Sequence, residues 1–427
     1  MGQTAILGSG IAGISAGHHL KKIGQEVVIY EKLDDWGGLC GNFTINGFRF
    51  DKFVHFTFCE DEYIKDKFET SSPTYPHPSI SSNYYKGYWL RHPAQNNLSP
   101  LPTEEKIKII KGFIEREEIP VNGINNYEQW LKFQYGDYFA ENFPFKYTRK
   151  YWGLEPKELE TNWVRNRMHA PTLDEVLKGA FEEQKTNYYY TSVMRYPKKG
   201  GFRSILNTTR EGLEIKFKKE VCEIDTNRKT IKFTDGTISK YERLISTLPL
   251  PEIVNIVINC PQNAKDAAKN LHYTCGYMVS LGFNRPNVAK HLWFYIYDEE
   301  ISPSRVHSPS LKSPDNAPIN CSSIQAEVFF DCKSEIPPKE EVLKKTIQEL
   351  INMGIFKEED IVVKDIRFEK YANVTFDKDI YSNRKIVLDY LSKVGIESIG
   401  RFGKWDYLWT FQAFQSGMEV VKTTCNL

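Results

Sequence analysis

The chain has 427 residues, enough for two or three structural units around a sizeable core. Lys+Arg 56 against Asp+Glu 55 leaves a net charge of +1, which excludes a global field steering it to nucleic acid or to an anionic membrane. The eight cysteines form no C-x-x-C pair, the amino-terminal apolar stretch is broken by Gly, His and Lys, and no signal peptide is read, so a cytoplasmic protein with reduced thiols and no membrane span is expected.

Residues 4–32 are the most informative stretch. Thr4 to Leu7 is a short apolar run that stops at Gly8-Ser9-Gly10-Ile11-Ala12-Gly13, a G-x-G-x-x-G. Apolar and small residues then recur at helical spacing from Ile11 to Ile23, Gly24 is a natural stop, and Val27 to Tyr30 reads as a second buried strand. Gly8 permits a tight turn, Gly10 lets a pyrophosphate reach the backbone, and Gly13 lets helix and strand pack closely. The helix start offers unpaired N–H groups to the phosphates. Glu31, 18 residues past Gly13, is placed to accept hydrogen bonds from a ribose and to repel a 2′-phosphate. An ordinary glycine-rich turn is the bland alternative. The full order of strand, turn, helix, strand and acid favours a dinucleotide site.

A second glycine cluster, Gly37-Gly38-Leu39-Cys40-Gly41-Asn42, follows the second strand. A simple NAD domain has no need of it, whereas a flavin enzyme needs a further backbone loop at the phosphates or ribityl chain of FAD. Phe48 to Thr57 is expected to run from strand into turn and carries His55, which sits either against an isoalloxazine ring or in ordinary packing. Residues 69–83 read as surface connection. Tyr84 to Pro93 suggests a strand pair closed by Gly87, and helices are expected at Glu104–Glu118, Tyr127–Gly136, Asp137–Lys150 and Leu173–Gln184, a mostly helical insert. Within it, Tyr147-Thr-Arg-Lys-Tyr-Trp152 and Trp163-Val-Arg165-Asn-Arg167 bring rings and guanidinium groups together, as a phosphorylated sugar requires. A helix with an aromatic core side and a solvated basic side has the same pattern.

Arg195-Tyr196-Pro197 leads into a glycine turn at Gly200-Gly201. The strands expected between Gly212 and Leu248, with a hairpin at Asp235-Gly236, return to the nucleotide-binding sheet and set Val221 against adenine. Cys275–Phe283, Leu292–Tyr297 and Ile324–Phe330 are expected as antiparallel strands forming a substrate face. Between them Ser302 to Ser323, rich in Ser, Pro and Asn, reads as a mobile loop or a long connector and holds Arg305. Ile396 to Thr410 repeats the opening theme of strand, glycine turn (Gly400-Arg401) and helix start, and that helix N-terminus would favour the anion of a reduced flavin.

The nucleotide-binding start, the Gly-Gly pair, the D-x-x-x-H of Asp51 to His55, the helical insert and the terminal Gly-Arg turn together resemble the FAD-dependent amine oxidase and protoporphyrinogen oxidase clan. Within it the likeness is to the UDP-galactopyranose mutase family. Tyr147-Thr-Arg-Lys-Tyr-Trp152 followed by Pro156-Lys-Glu-Leu159 is similar to that family's Y-T-x-K-x-W…P-x-E-L, and Gly400-Arg401…Tyr407 to its terminal G-R…Y. The resemblance implies an α/β fold: a Rossmann-like FAD-binding domain of the glutathione-reductase type, a helical insert and an antiparallel β-sheet substrate domain. The implied boundaries are 1–83, 196–260 and 383–427 for the FAD-binding domain, 84–195 for the insert and 261–382 for the sheet domain.

For the site, the resemblance implies FAD held by Gly8, Gly10, Ile11, Ala12, Gly13, Glu31, Lys32, Gly38, Leu39, His55, Val221, Gly400, Arg401, Trp409 and Thr410. It implies a UDP-sugar held by Tyr147, Trp152, Arg167, Tyr196, Arg305 and Tyr407, with His55, Arg167 and Arg305 as the catalytic set and no metal. The implied reaction uses reduced FAD without net redox change. Flavin N5 attacks the anomeric carbon, UDP leaves, and the sugar recloses between pyranose and furanose, for surface glycan synthesis. The sugar, the reductant (NAD(P)H as an external candidate) and a homodimeric state stay open. The chain departs from the family in its longer second glycine cluster, in a poor match over 260–385 apart from Arg305, and in Trp409-Thr410 where the mutases carry an acidic residue. The rival readings are a true FAD-dependent oxidoreductase of the clan and a flavin binder without catalysis.

Overall fold

The computed structural model describes residues 3–119, 123–164, 167–189, 191–288 and 290–425. The apolar runs at the amino terminus are completed into a sheet by three distant segments. In the order Ile396–Ser398, Arg243–Ser246, Thr4–Leu7, Val27–Tyr30, Glu214–Lys216, all five strands run parallel. Such a sheet is covered on both faces, which is why its strands read as unbroken apolar runs rather than as alternation. The helix Ile11–Lys22 packs on it and against the helix Thr410–Met418. The two helices meet closely because Gly417 carries no Cβ, which would lie 2.4 Å from the Ala12 carbonyl oxygen. Ser15 adds a hydroxyl bond to the Phe414 carbonyl at 2.7 Å.

A second, mixed sheet of seven strands has the order Ile361–Val374, Tyr273–Phe283, Ser322–Asp331, Arg305–His307, Trp293–Ile296, Ser82–Tyr85, Tyr88–Arg91. The strand pair at 82–91 thus belongs to this sheet. The strands expected between Gly212 and Leu248 divide in two, because Val221–Asp225, Thr230–Phe233 and Ile238–Lys240 form a separate antiparallel sheet.

Helices Thr103–Ile114, Tyr127–Tyr135, Asp137–Asn142, Pro144–Trp152 and Leu173–Phe181 surround an aromatic core that includes Phe143 and Trp152. The single helix expected from Asp137 to Lys150 is two helices. Pro144 has no N–H with which to continue the first, and the chain breaks at Phe143 with φ −117° and ψ −84°.

Ser302–Ser323 is neither loop nor loose connector. It forms the strand Arg305–His307 and the turn of helix Pro309–Lys312, and Ser304, His307 and Lys312 are completely buried. Several of its polar groups are paired in the core: His307 Nε2 lies 2.9 Å from Gln325 Oε1, and the Ser308 hydroxyl donates to the Ser323 carbonyl at 2.8 Å. Among the described residues no helix is long and apolar enough to cross a membrane.

Candidate active site

A cavity of about 920 Å³ is lined by both sheets and by the insert. One end is a cradle of glycine backbone. Gly8 has φ +95°, and a Cβ on Gly13 would lie 2.1 Å from the Gly8 carbonyl oxygen, so both are packing glycines. Gly10 differs: a Cβ there would meet only the Gly38 Cα, at 3.9 Å, and its backbone faces the cavity. The helix Ile11–Lys22 starts at this point with no side-chain cap and no acid in its first turn, which leaves its N–H groups available to an anion. The second glycine cluster docks onto the first, with the Gly37 N–H donating to the Ser9 carbonyl at 2.9 Å.

Ser9 donates both its N–H and its hydroxyl to Glu31 Oε2, at 2.9 and 2.7 Å, and the Leu33 N–H donates to Oε1 at 3.0 Å. The acid is thereby fixed before any ligand arrives, and it lines the cavity with Lys32, Leu39 and Val221. These residues fit FAD, with open glycine backbone and a helix N-terminus for the phosphates and an anchored carboxylate for ribose hydroxyls.

Farther along, His55 stacks on Phe202 with ring centroids 4.9 Å apart. Its Nδ1 is buried with no hydrogen-bond partner among the described residues, and enclosure lowers its pKa to about 4, so the imidazole is neutral near pH 7. Gly400, Arg401 and Thr410 line the same stretch. Arg401 donates to the Leu408 carbonyl and to Asn373 Oδ1, each at 3.1 Å, and Asn373 Oδ1 also accepts the Tyr151 hydroxyl at 3.2 Å.

The other end is walled by rings. The helix Pro144–Trp152 presents Tyr147, Tyr151 and Trp152. Trp293, Tyr295 and Tyr297 face the cavity at every second position while Phe294 and Ile296 turn into the core. Tyr147 stacks on Tyr151 at 5.5 Å and meets Tyr295 edge-on at 5.7 Å, and the Tyr189 and Tyr295 hydroxyls are 2.5 Å apart.

Two arginines are set in this wall. The Arg167 guanidinium lies 4.1 Å from the Tyr407 ring and 4.2 Å from the Trp409 ring, and Nη2 donates to the Tyr407 carbonyl at 2.7 Å. Arg305 donates from Nε and Nη2 to Glu327 Oε2, at 2.8 and 2.5 Å. Burial opposes the Arg305 charge, but the Glu327 carboxylate together with Tyr151, Tyr147 and Tyr295 outweighs it and the guanidinium stays protonated.

The sequence pattern of the flavin containing amine oxidoreductases matches residues 11–381. The chain belongs to this family. Among solved structures, a reduced UDP-galactopyranose mutase superposes with a TM-score of 0.92 at 23% identity, over 100% of this chain and 96% of the mutase. A fatty acid isomerase from P. acnes has a TM-score of 0.65 at 13% identity, over 99% and 98% of the two chains. A putrescine oxidase double mutant has 0.66 at 15% identity, over 100% and 99%. What these proteins share with the chain is the fold.

Within this flavin amine oxidoreductase, Tyr196 is not part of the cavity wall as the sequence reading expected. It is 1% exposed, donates its hydroxyl to Asp51 Oδ2 at 2.7 Å and accepts from Asn316 at 3.1 Å. Asp51 is buried and also takes the Phe202 N–H at 2.9 Å, so the tyrosine serves as a donor to a buried carboxylate. Gly13 likewise packs beneath the cradle without lining it. Arg165 lies outside the described residues. Sequence reasoning missed Tyr151, Tyr189, Trp293, Tyr295 and Tyr297. The last three carried a readable signal, aromatic residues at every second position of a strand.

Proposed function

We propose that the chain is a flavin-dependent isomerase interconverting the pyranose and furanose forms of a UDP-sugar of the UDP-galactose type. The observation that carries this reading is the pair Arg167 and Arg305, each held by fixed partners in a wall otherwise made of rings. Guanidinium groups match the paired oxygens of a diphosphate, and the rings cover a nucleoside and a sugar. A cationic amine would be repelled by the same arginines.

In this reading Arg167 and Arg305 bind and orient the diphosphate. Tyr147, Trp152 and Tyr407 enclose the sugar nucleotide and keep water from the reacting carbon. Neutral His55 exchanges a hydrogen bond beside the flavin without placing a charge there. FAD, when bound and reduced, supplies a nucleophile for the anomeric carbon. The place of action is the cytoplasm, in the synthesis of surface glycans.

A second reading, an FAD oxidoreductase, is favoured by the family match and by the fold shared with a putrescine oxidase. UDP titration of the oxidised and the dithionite-reduced protein separates the two. Micromolar binding that collapses in Arg167→Ala supports the isomerase. Absence of binding in both redox states, with oxygen uptake on amines, moves the assignment to the oxidoreductase.

A further inference from the structure

We infer that Trp409 is the positioning residue that holds Arg167 ready for an anion; the identity of that anion as a diphosphate rests on the reading proposed above. Tyr407 and Trp409 stand two residues apart, and their rings grip the guanidinium at 4.1 and 4.2 Å. The Tyr407 carbonyl fixes its rotation through Nη2. Trp409 is itself anchored. Its backbone N–H donates to Gln412 Oε1 at 2.9 Å at the start of the helix Thr410–Met418, and its ring meets Phe58 edge-on at 5.2 Å.

The residue type at 409 decides how the arginine is held. A carboxylate there would bind the guanidinium through its N–H edges, the same edges that a phosphate needs. An aromatic face holds the cation through its plane and uses none of those donors. The Arg167 side chain is thus ordered when the protein folds rather than when the ligand binds, and ordering in advance raises affinity.

The test combines a ligand-free readout with a binding readout on the FAD-loaded protein. In protein labelled with ¹⁵N-arginine, the Arg167 Nε–H signal, assigned by its loss in Arg167→Lys, should be shifted by the ring currents of Tyr407 and Trp409. Trp409→Leu should return it toward the position of the other arginines, and Trp409→Phe should keep most of the shift. UDP affinity should fall about tenfold in Trp409→Leu and stay within about threefold of wild type in Trp409→Phe, the difference expected for loss or retention of a desolvated cation–π contact. With turnover substrate the change should fall on KM rather than kcat. An unshifted Arg167 signal in the wild type overturns the inference without any variant, as does equal UDP affinity in wild type and Trp409→Leu. A shifted signal in a wild-type protein that binds no UDP supports the positioning and sinks the diphosphate reading.

Discussion

Arg305 and Glu327 form a closed fork: Nε and Nη2 both donate to one carboxylate oxygen, and the other oxygen accepts the Val54 N–H at 2.6 Å. Glu327 is completely buried and so depends on these partners. Glu327→Gln keeps the shape and most hydrogen bonds but leaves the Arg305 charge enclosed without a counter-charge. Its expected cost is about 3–5 kcal/mol of folding stability, read by urea denaturation of the FAD-loaded protein. A loss below about 1 kcal/mol would mean that the pair is hydrated in solution.

The glycines of the cradle separate folding from cofactor binding. Gly13→Ala would put a methyl 2.1 Å from the Gly8 carbonyl oxygen and must push helix and strand apart, for about 1–3 kcal/mol or more of lost stability. Gly10→Ala meets only the Gly38 Cα at 3.9 Å, so the variant should fold with nearly wild-type stability as apoprotein yet purify colourless. Flavin absorbance together with thermal melts of the apo forms checks both outcomes. A yellow Gly10→Ala protein would place the phosphates elsewhere.

Two enclosed histidines predict an acid limb of stability. Burial lowers the pKa of His55 and of His92 from 6.5 to about 4. Between those values the unfolded chain takes up protons that the folded chain refuses, so stability falls as pH drops from 6.5 through 4 and is level, for these groups, above 6.5. Carboxylates contribute to the same limb at its lower end. His92→Gln, which can still reach Asn83 Oδ1, should therefore show a shallower loss between pH 6.5 and 5 than wild type. An unchanged slope would show that His92 is protonated in the folded protein.

Lys150 predicts a second rise of stability with pH, of the same origin but at higher pH. Its Nζ donates to the Ile296 and Asp298 carbonyls, each at 2.9 Å, tying the helix Pro144–Trp152 to the end of the strand that carries Tyr295. Burial lowers its pKa from 10.5 to about 7. Between those values the unfolded chain holds the extra proton, so this group's contribution makes the protein more stable as pH rises from 7 toward 10.5. Lys150→Met should flatten that rise in denaturation measured at pH 7 and pH 9. A rise of equal size in the variant would assign it to other groups.

The two glycine turns were the most legible part of the sequence, because glycine positions report backbone geometry directly. The spacing of Gly8, Gly10, Gly13 and Glu31 is enough to anticipate the cradle, and Gly400-Arg401 its counterpart near the carboxyl terminus. The segment 302–323 was misread because composition counts polar groups without showing whether they are paired. His307, Ser308 and Asn316 bond Gln325, Ser323 and Pro309 in the core instead of facing water. Tyr196 was misread for a related reason, since nothing local in Arg195-Tyr196-Pro197 announces the buried Asp51 that claims its hydroxyl. The grip of Trp409 on Arg167 joins residues 242 positions apart in the chain, and no periodicity reports such a contact.

The central claim is tested most directly by incubating FAD-loaded protein with UDP-galactopyranose, with and without dithionite, and separating the products by anion-exchange chromatography and NMR. The account predicts the furanose isomer in the reduced sample alone, at unchanged oxidation level, and its loss in Arg167→Ala. No furanose in either sample, or an oxidised product formed with consumption of an electron acceptor, would contradict it.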